Sequence, residues 1–119
     1  MKNGSIGFTF RELQYIVAVA EELNFHKAAV RCCVSQSTLS IQLKKCEAYL
    51  GVTLFRRTHH SVALTPEGVE VVAFARIALE AALLIKHRTA AKHYQRVRLK
   101  LARTVLDLED QSRLFLPRA

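Results

Sequence analysis

The sequence predicts a mainly α chain built on a winged helix-turn-helix, with a small β-hairpin wing and a long dimerisation helix behind it. Three observations carry that expectation. A capped amphipathic helix leads into a short helix, a tight turn and a longer helix. Two short apolar runs then flank a polar tip. A long apolar segment opened by Thr65-Pro66-Glu67 follows, with a Thr N-cap, Pro at the first helical position and an acid at the positive end of the dipole.

The first helix is expected over about residues 10–22. Thr9 and Glu12 have the spacing of a capping box, in which each side chain satisfies a backbone N–H near the other. Phe8 and Leu13 stand where a hydrophobic staple would hold the entry, and Leu13, Ile16, Val17, Ala20 and Leu23 form one apolar stripe. Asn24 caps a short second helix whose central Ala28 and Ala29 let another helix approach closely. After a turn near Cys33-Val34, Ser35 caps a third helix from Gln36 to Leu50, and Gly51 stands where a left-handed residue ends a helix cheaply.

That third helix has two faces. Leu39, Leu43, Cys46 and Leu50 form its buried stripe, and Ser37, Ile41, Lys44 and Ala48 lie opposite, flanked by Ser40 and Lys45. The outward face is small and polar, then basic, with no acid before Glu47. Such a helix can seat deeply in a groove and meet phosphates at the rim. The wing follows as Leu54-Phe55-Arg56-Arg57 and Val62-Ala63-Leu64 around Thr58-His59-His60-Ser61. From Val69 to Ile85 only Glu70, Arg76 and Glu80 interrupt the apolar residues, so this helix must bury more than one face. A partner chain is the simplest cover, with Val71, Val72, Ala75, Leu79 and Ala82 as the face offered to it.

Residues 1–64 thus read as the helix-turn-helix domain, 65–92 as a linker and dimerisation helix, and 93–119 as a tail with two open readings. Val97, Leu99 and Leu101 alternate like a strand, whereas Val97, Leu101, Val105 and Leu108 fit a helix.

Composition narrows the function. The 119 residues carry 18 Lys and Arg against 10 Asp and Glu, a formal charge of +8, which favours a polyanionic partner. The polar Asn3-Gly4-Ser5 near the start gives no signal peptide, and the apolar segment is too short and too charged to span a bilayer. Three cysteines, two of them adjacent (Cys32, Cys33), do not make a disulfide framework, which points to a reducing cytoplasm. Cys32 and Cys46 read as small core residues rather than zinc ligands with His59 or His60, and Cys33 lacks the cationic setting of a redox sensor beyond Arg31. No nucleophile–base spacing, phosphate loop or paired carboxylates suggest an enzyme, and no metal, cofactor or small-molecule effector site is expected.

Residues 10–72 resemble the N-terminal domain of LysR-type transcriptional regulators. The likeness lies in Arg11-Glu12-Leu13-Gln14-Tyr15-Ile16, Val19-Ala20-Glu21, Asn24-Phe25, Ala28-Ala29 and Val34 to Ser40. It continues through Glu47, Leu50-Gly51, Leu54-Phe55, Arg57, Leu64-Thr65 and Gly68. The resemblance implies that the helix Gln36–Leu50 reads DNA from the major groove, with Thr38 among its DNA-binding residues. Gln36, Ser37, Ser40 and Ile41 would reach bases, and Ser35, Lys44 and Lys45 would reach phosphates. Arg56, Arg57 and His60 of the wing would add backbone and minor-groove contacts. It also implies an antiparallel homodimer through the helix from Thr65.

Four departures from the family pattern qualify it. Ile41 stands where relatives often carry Arg, which suggests contact with a thymine methyl instead of a guanine. His60-Ser61 replaces a common Arg-Gly, and Cys32 and Cys46 replace leucines. The family's effector domain has no room in this length. The expected function is therefore sequence-selective duplex binding and transcription regulation, with double-stranded DNA and a second copy as partners and no membrane. The alternatives are an effector-less regulator that occupies operators or forms mixed dimers with a full-length relative, and a protein-interaction module that no longer binds DNA.

Overall fold

The computed structural model describes residues 6–88 and 91–115. Its elements are α1 (Phe10–Glu22), α2 (Phe25–Arg31), α3 (Gln36–Leu50), β1 (Phe55–Arg57), β2 (Val62–Leu64), α4 (Pro66–His87) and α5 (Ala91–Phe115). They fall into two compact units, Met1–Val72 and Ala73–Ala119.

Local hydrogen bonding starts each helix of the first unit. The Thr9 hydroxyl accepts from the Glu12 N–H at 3.2 Å, and Glu12 Oε1 accepts from the Thr9 N–H at 3.0 Å, which closes the capping box. Phe8 meets Tyr49 edge-on, with ring centroids 6.0 Å apart. Asn24 Oδ1 accepts from the Lys27 N–H at 2.8 Å, and Ser35 Oγ accepts from the Thr38 N–H at 3.0 Å. Between α2 and α3 the chain turns through Cys33, a non-glycine residue with φ of 58°. The turn is closed by bonds from the Cys33 N–H to the Val30 carbonyl and from the Val34 N–H to the Ala29 carbonyl, both 3.1 Å. Gly51, with φ of 73°, ends α3 in the left-handed region that side chains disfavour.

The three helices bury Ile16, Val19, Ala28, Ala29, Leu39, Leu43 and Cys46, each 2% exposed or less. Ala28 and Ala29 are small enough for α1 and α3 both to contact α2. Cys46 is a core residue as expected, and its thiol donates to Glu12 Oε2 at 3.0 Å. Burial first, then the neighbouring Glu12 carboxylate, pushes this thiol up to about 12. Cys32 is only half-buried.

The wing is a two-stranded antiparallel hairpin pairing Phe55 with Leu64, Arg56 with Ala63 and Arg57 with Val62. The Thr58 N–H closes its tip on the Ser61 carbonyl at 2.9 Å. Hydrogen bonds made by Glu47 and Thr65 clamp its root. Glu47 Oε2, at the end of α3, accepts from the Leu54 N–H at 2.6 Å and the Phe55 N–H at 3.4 Å. Thr65 donates its hydroxyl to the Thr53 carbonyl at 2.5 Å and accepts from the Gly68 N–H at 2.9 Å. Gly68 needs no side chain here, because a Cβ would collide with the Leu54 carbonyl oxygen.

In the second unit α4 continues and α5 supplies the tail. The helical reading of the tail holds: Val97 is buried, and Leu101 and Leu108 are half-buried. Leu99 is 72% exposed, where a strand would have kept it on the same face as Val97. Glu80 of α4 is buried, and both its oxygens accept from the Thr104 hydroxyl of α5, at 3.4 and 3.2 Å. Lys100 Nζ lies 3.9 Å from Glu80 Oε1. No helix among the described residues is long and apolar enough to cross a membrane.

Candidate nucleic-acid interface

The face of α3 opposite the core is open along its length. Gln36, Ser37, Thr38, Ile41, Lys44, Lys45 and Ala48 are exposed, with Ile41 at 55% and no acid in the first turn. The reason is periodic. With Leu39, Leu43 and Cys46 fixed in the core, residues 37, 41, 44 and 48 have to point away from it. The result is a helix end that is neutral, small and polar, with the positive end of the helix dipole behind it and two lysines further along.

Two hydroxyls at this end are already engaged. Ser35 Oγ, besides capping the helix, donates to Thr38 Oγ1 at 2.9 Å. Ser35 therefore acts mainly through the backbone N–H groups it organises. Ser40 is half-buried on the flank, and its oxygen accepts from Arg57 Nη2 of the wing at 3.2 Å. The same guanidinium lies over the Phe25 ring of α2, 3.5 Å from its centroid, and Phe55 meets that ring edge-on at 6.2 Å. Arg57 thus ties α2, α3 and β1 together. Pattern reading assigns it to the backbone of a nucleic acid, and the link to Phe25 escapes it because those residues meet only in the fold. Arg56, alternating with Arg57 along β1, is exposed, as are His59 and His60 at the tip.

The residues expected at a partner helix are divided. Val71, Leu79 and Ala82 are half-buried, but Val72 and Ala75 are 5% and 2% exposed and are already covered within the chain. The expected face therefore does not stand free as a whole. The large apolar side chains exposed on α4 are Phe74, Leu83 and Ile85. Among the described residues no group of three or more His, Cys, Asp or Glu could hold a metal ion.

A short helix, a tight turn and a longer helix with one open polar and basic face, joined to a hairpin clamped at its root, define a winged helix-turn-helix domain. The chain belongs to the LysR family: residues 10–69 match the family described as bacterial regulatory helix-turn-helix protein, lysR family. It is 45% identical over 76 residues to the DNA-binding transcriptional dual regulator OxyR of Escherichia coli (strain K12), covering 64% of this chain and 25% of that protein. It is 49% identical over 69 residues to the HTH-type transcriptional regulator AlsR of Bacillus subtilis (strain 168), covering 58% of this chain and 23% of that protein. The chain therefore spans about a quarter of the length of these relatives.

Solved structures agree. The CbnR DBD in complex with DNA superposes with a TM-score of 0.66 at 40% identity, covering 71% of this chain and 98% of that one. Full-length OxyR C199D from Pseudomonas aeruginosa gives the same TM-score at 48% identity, over 71% of this chain and 28% of that one.

Proposed function

We propose that this chain binds double-stranded DNA with sequence preference and regulates transcription, working in the cytoplasm as a homodimer and without catalytic chemistry. One observation carries the reading: α3 presents an exposed face, Gln36 to Lys45, that holds no acid and is small enough to enter a major groove. Gln36, Ser37, Ser40 and Ile41 are the base-reading candidates. Lys44, Lys45, Arg56 and the N–H groups ordered by Ser35 meet phosphates, with His60 at the wing tip beside the next groove. The chain's likeness to the DNA-bound CbnR DBD supports the same reading. A charge of +8 adds sequence-independent attraction.

For the dimer, support comes from the open side of α4. Phe74, Ala78, Ala81 and Ile85 follow one another at i, i+4, i+7 and i+11, a spacing that forms a helix–helix seam, with half-buried Val71 and Ala82 alongside. Glu67 in the first turn and Lys86 and His87 in the last favour an antiparallel second copy. Selection of bound sequences from a random duplex pool, followed by gel shifts over a range of salt, tests DNA binding. A selected site with inverted half-sites and a steep salt slope is the expected result. Absence of enrichment would leave a protein-interaction role for the apolar helices. Light scattering without DNA tests the dimer, and a monodisperse monomer at micromolar concentration would refute it.

A further inference from the structure

We propose that Arg57 is a positioning residue that biases Ser40 toward donating a hydrogen bond to a base acceptor over accepting one from a base. This rests on the DNA-binding reading above and adds a polarity rule to it. A free serine hydroxyl discriminates poorly, since it offers one donor and two acceptor sites and rotates to suit either kind of base edge. In this structure one of the two acceptor sites of the Ser40 oxygen is taken by Arg57 Nη2 at 3.2 Å, and a guanidinium is donor only. The contact is held in place because the Arg57 guanidinium lies over the Phe25 ring, 3.5 Å from its centroid, and that ring is itself buried and met edge-on by Phe55.

The proton of Ser40 has no such engagement. A serine within a helix commonly returns its proton to the carbonyl four residues back. Among the described residues no acceptor takes the Ser40 proton. With one lone pair directed at Arg57, the hydrogen and the second lone pair share the remaining directions, and the cationic donor on the oxygen polarises the hydroxyl so that donation toward the open side of α3 is favoured over accepting from a second donor. The base edges that suit it are purine N7, guanine O6 and thymine O4. The amino groups of cytosine and adenine bring a second donor and are disfavoured. The wing thereby sets the specificity of a residue on the recognition helix without touching the base itself.

Binding of single-base-pair variants of the selected duplex is measured for wild type, Ser40→Ala, Arg57→Met, Arg57→Lys and the Ser40→Ala/Arg57→Met pair. Arg57→Met and Ser40→Ala should lose discrimination at the same base-pair position, by roughly 3- to 10-fold, the worth of one net hydrogen bond. The double variant should discriminate there no worse than Ser40→Ala alone. Arg57→Lys keeps the charge but not the planar stacked fork, so it should behave like Arg57→Met; it carries the test alone if Arg57→Met does not fold. The salt slope should be unchanged in both Arg57 variants. The proposal is overturned if Arg57→Met weakens every duplex equally with a shallower salt slope while Arg57→Lys restores binding, which is the signature of a phosphate contact. Independent effects of the two residues at different positions would overturn it too. Failure of the wild-type chain to bind any duplex would instead refute the DNA-binding reading beneath it, and the proposal with it.

Discussion

Replacing Glu47 by Ala should release the wing from α3. The carboxylate accepts from the Leu54 N–H at 2.6 Å and more weakly from the Phe55 N–H at 3.4 Å, and Leu54 is fully buried behind it. A hydrogen bond to a charged acceptor contributes about 1.5–3 kcal/mol, and a buried N–H left without a partner costs a comparable amount. The second bond is long enough to count for little, and Glu47 is half-buried, so water can partly replace it. The expected loss is therefore about 2–3 kcal/mol, or roughly 10 °C or more in Tm for a domain of this size. Glu47→Gln keeps an acceptor at the same reach and should lose about half as much. Urea titration followed by far-UV circular dichroism measures both, and duplex binding at a temperature where Glu47→Ala remains folded measures the wing's contribution. If Glu47→Ala unfolds within about 0.5 kcal/mol of wild type, the range of an ordinary surface substitution, the clamp argument fails.

Gly68→Ala should destabilise by about 2 kcal/mol or more, because its Cβ would collide with the Leu54 carbonyl oxygen, a backbone atom that cannot swing aside; a thermal shift near zero would contradict this. Lys44→Ala should weaken binding to all duplexes and lower the salt slope by about 1, whereas Gln36→Ala should cost about 1–3 kcal/mol on the selected site and change the ranking of sites. Replacing thymine by uracil through the selected site should lower affinity at the position facing Ile41, which is 55% exposed on α3; no change at any position would sink the methyl contact. Thiol-reactive dye at pH 8 should label exposed Cys33 quickly and leave Cys46 unlabelled until the chain unfolds. The Cys46 thiol, raised to about 12 in the fold against an ordinary 9.0, contributes stability that is full below pH 9 and lost as pH rises toward 12. Labelling of Cys46 at the rate of Cys33 in the folded chain would contradict the burial argument.

Much of the fold is readable locally. Capping acts within three or four residues, so Thr9 with Glu12, Asn24, Ser35 and Gly51 mark helix ends at the positions the structure gives them. The outward face of α3 follows from the same arithmetic, since three core positions on a helix dictate where the others point. The tail is ambiguous in sequence because its apolar residues satisfy two periods at once, and the choice of helix shows in the burial of Val97 and the exposure of Leu99.

The helix-turn-helix, the wing and the basic polar face are legible in the residues alone, because each depends on interactions between residues close in the chain. The packed fold adds that Arg57 places its guanidinium on Phe25 and Ser40, that Glu47 holds the wing root, and that Val72 and Ala75 are buried. Arg57 and Glu47 each reach groups outside their own elements, and the burial of Val72 and Ala75 likewise depends on packing. Their meeting depends on how whole helices pack, and a charge, an acid or an alanine carries no mark in the sequence of which neighbour packing will bring to it.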